Sequence, residues 1–163
     1  MIRLLIAATS LAFLVMSCKE QASENTSTSN ATEESGQFDP ELAEQLQADE
    51  YGMSQYVMAF LKAGPNRDLD SLESAQLQRA HLDNITRLAE AGKLSLAGPF
   101  LDDGEIRGIY IFNVSSLDEA RELTNSDPAI QAGSLVMELK PWYGSAAVKM
   151  INDWHGKLSK NPI

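Results

Sequence analysis

The chain has 163 residues, 44% of them apolar, which fits one packed domain with appendages. Its formal net charge of −10 excludes an electrostatic hold on nucleic acid. The single cysteine excludes an intrachain disulfide, and no phosphate-loop, dinucleotide-binding, HExxH or CxxC signature implies a cofactor or a metal.

The first element, "MIRLLIAATSLAFLVMSC", has a positive Arg3 followed by an apolar run from Leu4 to Met16, interrupted by Thr9 and Ser10. The run falls short of the roughly 20 residues that span a bilayer and fits a signal-peptide core of about 7–15. Residues 1–17 therefore read as a signal peptide. Ser17 directly before Cys18 resembles a bacterial lipobox, although Met16 is a less usual residue there. The resemblance implies cleavage before Cys18, a lipid on its thiol and attachment to a membrane of the bacterial cell envelope, outside the cytoplasm. A plain secretory signal with a chance cysteine is the alternative reading. The only cysteine falls at the one place the motif needs it.

Residues 18–50 read as a lipidated, disordered, acidic tether. Up to Gly36 the segment is mostly Ser, Thr, Asn and Glu, too polar to offset the entropy of ordering it. Asp39-Pro40 opens a weakly helical stretch through Leu46. Residues 19–50 carry nine acidic residues and one basic, whereas residues 51–163 carry fourteen and eleven, so the acidity belongs mainly to the tether. It implies a soluble spacer rather than a cationic partner.

Ser54 to Gly64 is rich in β-branched and aromatic residues and stops at Gly64-Pro65, the pattern of a strand. Ser71 is expected to cap a helix that Gly92 closes. "KLSLAGPF" is a second strand, "DDGE" a hairpin turn and "IRGIYIFNV" a third strand. Ser116 caps a short helix to about Asn125, "SDP" breaks it, and "AGSLVMELKPW" is the last strand. The order is that of an α+β, ferredoxin-like βαββαβ domain over residues 51–143. Residues 144–163 form an extension in which Val148, Ile151, Trp154 and Leu158 recur at helical spacing.

Both helices of such a fold cover one sheet face. The strands nevertheless alternate apolar with apolar, Tyr56, Met58 and Phe60 against Val57, Ala59 and Leu61. A face open to water would alternate with polar residues, so a second copy of the domain is the expected cover, giving a homodimer through the sheet.

On a helical wheel with Leu72 at zero, Leu77 lies near about 140°, Leu88 near about 160° and Ile85 near about 220°. His81 falls near about 180°, on the inward stripe, while Arg79, Asp83, Arg87 and Glu90 cluster elsewhere. A buried imidazole needs a polar partner, and helix packing alone supplies none.

In chain order, Ala80-His81-Leu82, Leu88, Gly92-Lys93-Leu94, Ala97-Gly98-Pro99, Asp127-Pro128 and Leu139-Lys140-Pro141-Trp142 resemble the YciI-like (YCII-related) family from about Met53 to Tyr143. The resemblance implies a dimeric α/β-barrel of ferredoxin-like protomers. It also implies that His81 and Asp127 form the family's proposed active-site pair. One relative is described as removing chloride from a chlorinated aromatic ring, and most members have no established reaction. Two positions depart from the family pattern. Ala129 stands where an aromatic residue commonly follows Asp-Pro, and Gln78 stands where an arginine often precedes the histidine.

An imidazole accepts and returns protons near neutral pH, and a carboxylate on its other nitrogen orients it. With no serine or cysteine motif beside it, the expected chemistry is proton abstraction followed by elimination or isomerisation of a small organic molecule. A purely structural His81–Asp127 hydrogen bond is the competing reading. Tyr110 and Ser74 are candidate pocket residues, set against a core aromatic and an exposed first-turn serine. His155 reads as a surface or packing residue. A non-catalytic ligand-binding module and a structural envelope lipoprotein of the same fold are the alternative functions.

Overall fold

The computed structural model describes residues 36–161, so the expected signal peptide, Cys18 and most of the expected tether lie outside the described residues. Residues from Phe38 onward form one unit. Its first element, α1 (Pro40–Gln45), starts where the Asp39 carboxylate accepts the N–H groups of Glu41 and Leu42, both at 3.0 Å. Pro40 suits the first turn because its missing N–H would be unpaired there anyway.

Four antiparallel strands follow: β1 (Met53–Ala63), β2 (Leu94–Pro99), β3 (Ile106–Phe112) and β4 (Leu135–Ser145), arranged as β2-β3-β1-β4. The helix α2 (Ser71–Glu90) joins β1 to β2, while α3 (Leu117–Asn125) and the single turn α4 (Pro128–Gln131) join β3 to β4. This is the expected α+β, ferredoxin-like arrangement. Register places Val57 beside Phe112 and Ala59 beside Tyr110. These side chains join Leu61 and Leu94 beneath Leu88 of α2 and Ala120 of α3 to form the core. A register shift between Leu94 and Leu96 turns Leu94 toward the core beside Phe112 and pairs Leu96 with Ile111.

Three local expectations are corrected. The cap of α2 is Asp70, not Ser71. The Asp70 carboxylate accepts the N–H groups of Leu72 and Glu73 at 2.8 and 2.9 Å, and the Glu73 carboxylate accepts the Asp70 N–H at 3.2 Å. This reciprocal box satisfies donors that a serine one position later would not reach. The "SDP" break is also the start of α4, because Asp127 caps it and Pro128 occupies its first position. Finally, helical spacing from Gly144 onward gives way to strand pairing. β4 runs to Ser145, with Gly144 and Ser145 opposite Ser54 and Met53. A 3-10 turn (Ala146–Met150) then leads into α5 (Ile151–Leu158). Gly144 is required there because a Cβ would fall 2.1 Å from the Trp142 ring.

The second sheet face carries Tyr56, Met58 and Phe60. Part of it is covered from within the chain. The Tyr56 hydroxyl donates to the carbonyl oxygens of Ser145 and Ala146 at 2.9 and 3.3 Å, and the Asn152 amide donates to the Leu94 carbonyl at 2.7 Å. Tyr56 is buried in this way and Ile111 is also buried, while Met58, Phe60 and Ile109 remain half-buried.

Candidate active site

Three residues of α2 are buried, His81, Asn84 and Leu88, at the spacing that lines one helix face. Leu88 enters the core. His81 and Asn84 instead meet the polar turn between α3 and α4. Asp127 is fully buried at the head of that turn. Its carboxylate accepts the Ala129 N–H at 2.9 Å through Oδ1. The same carboxylate lies against His81 Nδ1, at 2.8 Å through Oδ2 and 3.0 Å through Oδ1. A buried carboxylate persists only with such donors around it.

The pairing makes Nδ1 the donor, so the Nε2 lone pair points the other way, toward β3. There the Tyr110 hydroxyl donates to Nε2 at 3.3 Å, and the two rings lie nearly parallel with centroids 6.2 Å apart. Tyr110 is held edge-on by Phe112 at 5.7 Å. Burial, and then the neighbouring Asp127 charge, push the Tyr110 hydroxyl well above the usual phenol range. It therefore remains a protonated donor at neutral pH. Asp127, His81 and Tyr110 thus form one continuous chain of hydrogen bonds among a carboxylate, an imidazole and a phenol.

A second polar set braces the pair from one helical turn away. Asn84 Oδ1 accepts from Arg87 at 2.6 Å and from the Ser126 hydroxyl at 3.2 Å, and Ser126 immediately precedes Asp127. Asn84 Nδ2 is buried with no hydrogen-bond partner within the described chain. The wheel puts Asn84 near about 120°, on the same inward stripe as His81, so its burial was readable although no role was assigned to it.

The expected residues do not all gather at one place. His81, Asp127 and Tyr110 touch one another. Ser74 is exposed and lines a surface cleft together with Leu77 and Gln78, and the three touching residues do not line that cleft. Ala129 connects the two places, since its N–H holds Asp127 while the residue itself forms part of the cleft wall. His155 is exposed on α5, next to a Trp154 ring that stacks under Lys157 at 4.4 Å. Among the described residues, no group of three His, Cys, Asp or Glu side chains is arranged to hold a metal ion. No helix there is long and apolar enough to cross a membrane.

The chain is 34% identical over 62 residues to the uncharacterized protein YjpA of Bacillus subtilis, an alignment covering 38% of this chain and 71% of that protein. Among solved structures, it is similar to 5-chloro-2-hydroxyhydroquinone dehydrochlorinase from Burkholderia phenoliruptrix in complex with 2,5-dihydroxybenzoquinone. That match has 22% identity and a TM-score of 0.41, and covers 55% of this chain and 93% of the other. The sequence model of the YCII-related domain matches residues 55–143, which is more than half of the chain. The chain thus belongs to the YCII-related domain family.

Proposed function

We propose that the domain is an enzyme that moves protons on a small organic molecule, with elimination or isomerisation as the outcome. The observation that carries this reading is the Asp127 carboxylate lying 2.8 Å from His81 Nδ1. Asp127 engages Nδ1 from a fully buried position, leaving Nε2 as the base. Nε2 takes a proton from carbon or oxygen of the substrate, the Asp127 carboxylate stabilises the imidazolium, and Nε2 returns the proton to the rearranged product. Tyr110 supplies a hydroxyl that stays protonated and can donate to developing negative charge on an oxygen. No serine or cysteine nucleophile stands in this chain of contacts, so no covalent intermediate is invoked.

The test is turnover of a panel of enolisable ketones and halogenated phenols by the full-length protein, together with solvent deuterium incorporation followed by NMR. His81→Ala and Asp127→Asn are each expected to lower the rate by about 10²–10⁴-fold, the usual contribution of a general base. Unchanged rates in both folded variants would eliminate the reading. One observation favours a second reading, a non-catalytic binding module. His81 is only 8% exposed, and Tyr110 already occupies its Nε2. A ligand retained through purification, with no turnover of the panel, would select it.

The proposed protein is anchored by lipid on Cys18 and faces away from the cytoplasm. The support is the sequence before Cys18 and the polar segment after it. Metabolic labelling with a palmitate analogue is expected to mark the wild type and to fail with Cys18→Ser. Equal labelling of both would refute the anchor. The half-buried Met58, Phe60 and Ile109 support a second copy as the cover of the open sheet face. Sedimentation as a monomer at all concentrations would refute that.

A further inference from the structure

The cleft that Ser74 lines has a volume of about 360 Å³, within the range of small-molecule sites. Two arginines line it, Arg67 from the loop after β1 and Arg107 from β3, and among the described residues no Asp or Glu does. This stands out in a chain with 23 acidic residues against 13 basic ones. The remaining wall is divided. Leu69, Leu77 and Leu135 form an apolar side, while Ser74 and Gln78 add uncharged polar groups along α2.

The positive side is held in place by backbone. Asn66 N–H donates to the Gly133 carbonyl at 3.0 Å, Asn66 Nδ2 donates to the Ala132 carbonyl at 3.0 Å, and the Arg67 guanidinium donates to the Ser134 carbonyl at 3.2 Å. The loop that carries Arg67 is thereby fastened to the turn before β4. A five-donor guanidinium retains donors beyond that single contact. Arg107 has only a loose ion pair with Asp103, at 3.9 Å, and Asp103 is fully exposed. Among the described residues, neither arginine is neutralised by a close carboxylate in the cleft.

We propose that this cleft binds a small organic anion. Its carboxylate or phenolate engages Arg67 and Arg107, and its apolar body lies against Leu69, Leu77 and Leu135. Paired guanidinium groups suit such an oxyanion because the planar fork bonds it in two-pronged fashion. The cleft shares Ala129 with the Asp127 turn, because the Ala129 N–H donates to the Asp127 carboxylate. His81 and Tyr110 do not line the cleft, so this assignment goes beyond the acid–base reading and stands on binding by itself.

The experiment titrates full-length protein with benzoate and phenylacetate, using benzamide and phenylacetamide as neutral matches of the same shape, followed by NMR. Saturable binding of at least one acid is expected, with shifts at Ser74, Ala129 and the two arginine Nε–H groups, and at least tenfold weaker binding of its amide. The double variant Arg67→Gln/Arg107→Gln is expected to weaken the acid at least tenfold. Ser74→Trp, which fills the cleft from an exposed position, is expected to do the same with both arginines present. His81→Ala is expected to keep acid binding. Loss of turnover in His81→Ala with binding retained supports both proposals, and unchanged turnover with binding retained removes the acid–base reading alone. Absence of saturable binding by both acids, equal binding of the amides, or full affinity in the double variant would overturn the anion site.

Discussion

Asp127→Ala is expected to destabilise the protein by about 2–4 kcal/mol, measured by urea unfolding of the full-length chain. Two losses add at one side chain. The first is the cap of α4, where Oδ1 accepts the Ala129 N–H at 2.9 Å, and removing such a cap costs about 1 kcal/mol. The second is the partner of a buried imidazole. His81 Nδ1 would be left without an acceptor at 8% exposure, a penalty of about 1–3 kcal/mol. Asp127→Asn separates the contributions. An amide oxygen in place of Oδ1 still caps α4, but an amide nitrogen replaces the Oδ2 that accepts from Nδ1, so its expected loss is smaller than that of the alanine variant by about the 1 kcal/mol of the cap. Asp127→Ala made in a His81→Ala background should cost only the cap, because no imidazole remains to be orphaned. Equal costs in both backgrounds would show that the pair contributes nothing to the fold.

Gly64→Ala is expected to be comparably damaging, at about 2–4 kcal/mol in the same assay, and to disturb the anion cleft. The reason is not backbone conformation but space. An added Cβ would fall 2.2 Å from the Gly133 carbonyl oxygen and 2.8 Å from the Ser134 carbonyl carbon. Both are backbone atoms, so no side chain can swing aside, and overpacking of this kind costs about 1–3 kcal/mol. The intruding methyl also pushes apart the Gly64 N–H to Ser134 carbonyl bond, 2.8 Å long, and the neighbouring Asn66 to Gly133 bond, each worth about 1 kcal/mol. Gly98→Ala is the matched control. Nothing lies within 4 Å of its Cβ position, and its expected change is below about 1 kcal/mol. A Gly64→Ala variant as stable as Gly98→Ala would mean that the turn before β4 yields freely.

Much of the fold was legible because strand and helix periods differ and glycine and proline punctuate them. β1, α2 and β3 emerged from pattern alone. What pattern missed was decided by partners distant in sequence. The residues after Tyr143 have helical spacing, but β1 offers Met53 and Ser54 as ladder partners, and pairing prevailed through Ser145. Asp127 looked like a turn residue, while its side chain also serves as a cap and as the hydrogen-bond partner of His81, 46 positions away. The wheel directed His81 inward and could not supply its partner, which came from family resemblance. Arg67 and Arg107 carried no signal. One lies in a loop and the other in a strand, and only the crossover of α2 brings them to one cleft.

His81 and His155 are the only histidines in the chain, and their surroundings differ sharply: one imidazole is enclosed between α2, β3 and α4, and the other is exposed on α5. The molecule therefore carries its own spectroscopic gauge and its own reference. The ring-proton resonances of His81 report whether α4 is docked against α2, with Tyr110 adding a ring-current displacement from 6.2 Å. His155, exposed on α5, supplies the signal for comparison. Two signals in one proton spectrum are then enough to follow assembly of the site during refolding, crowding or ligand addition, without any attached label.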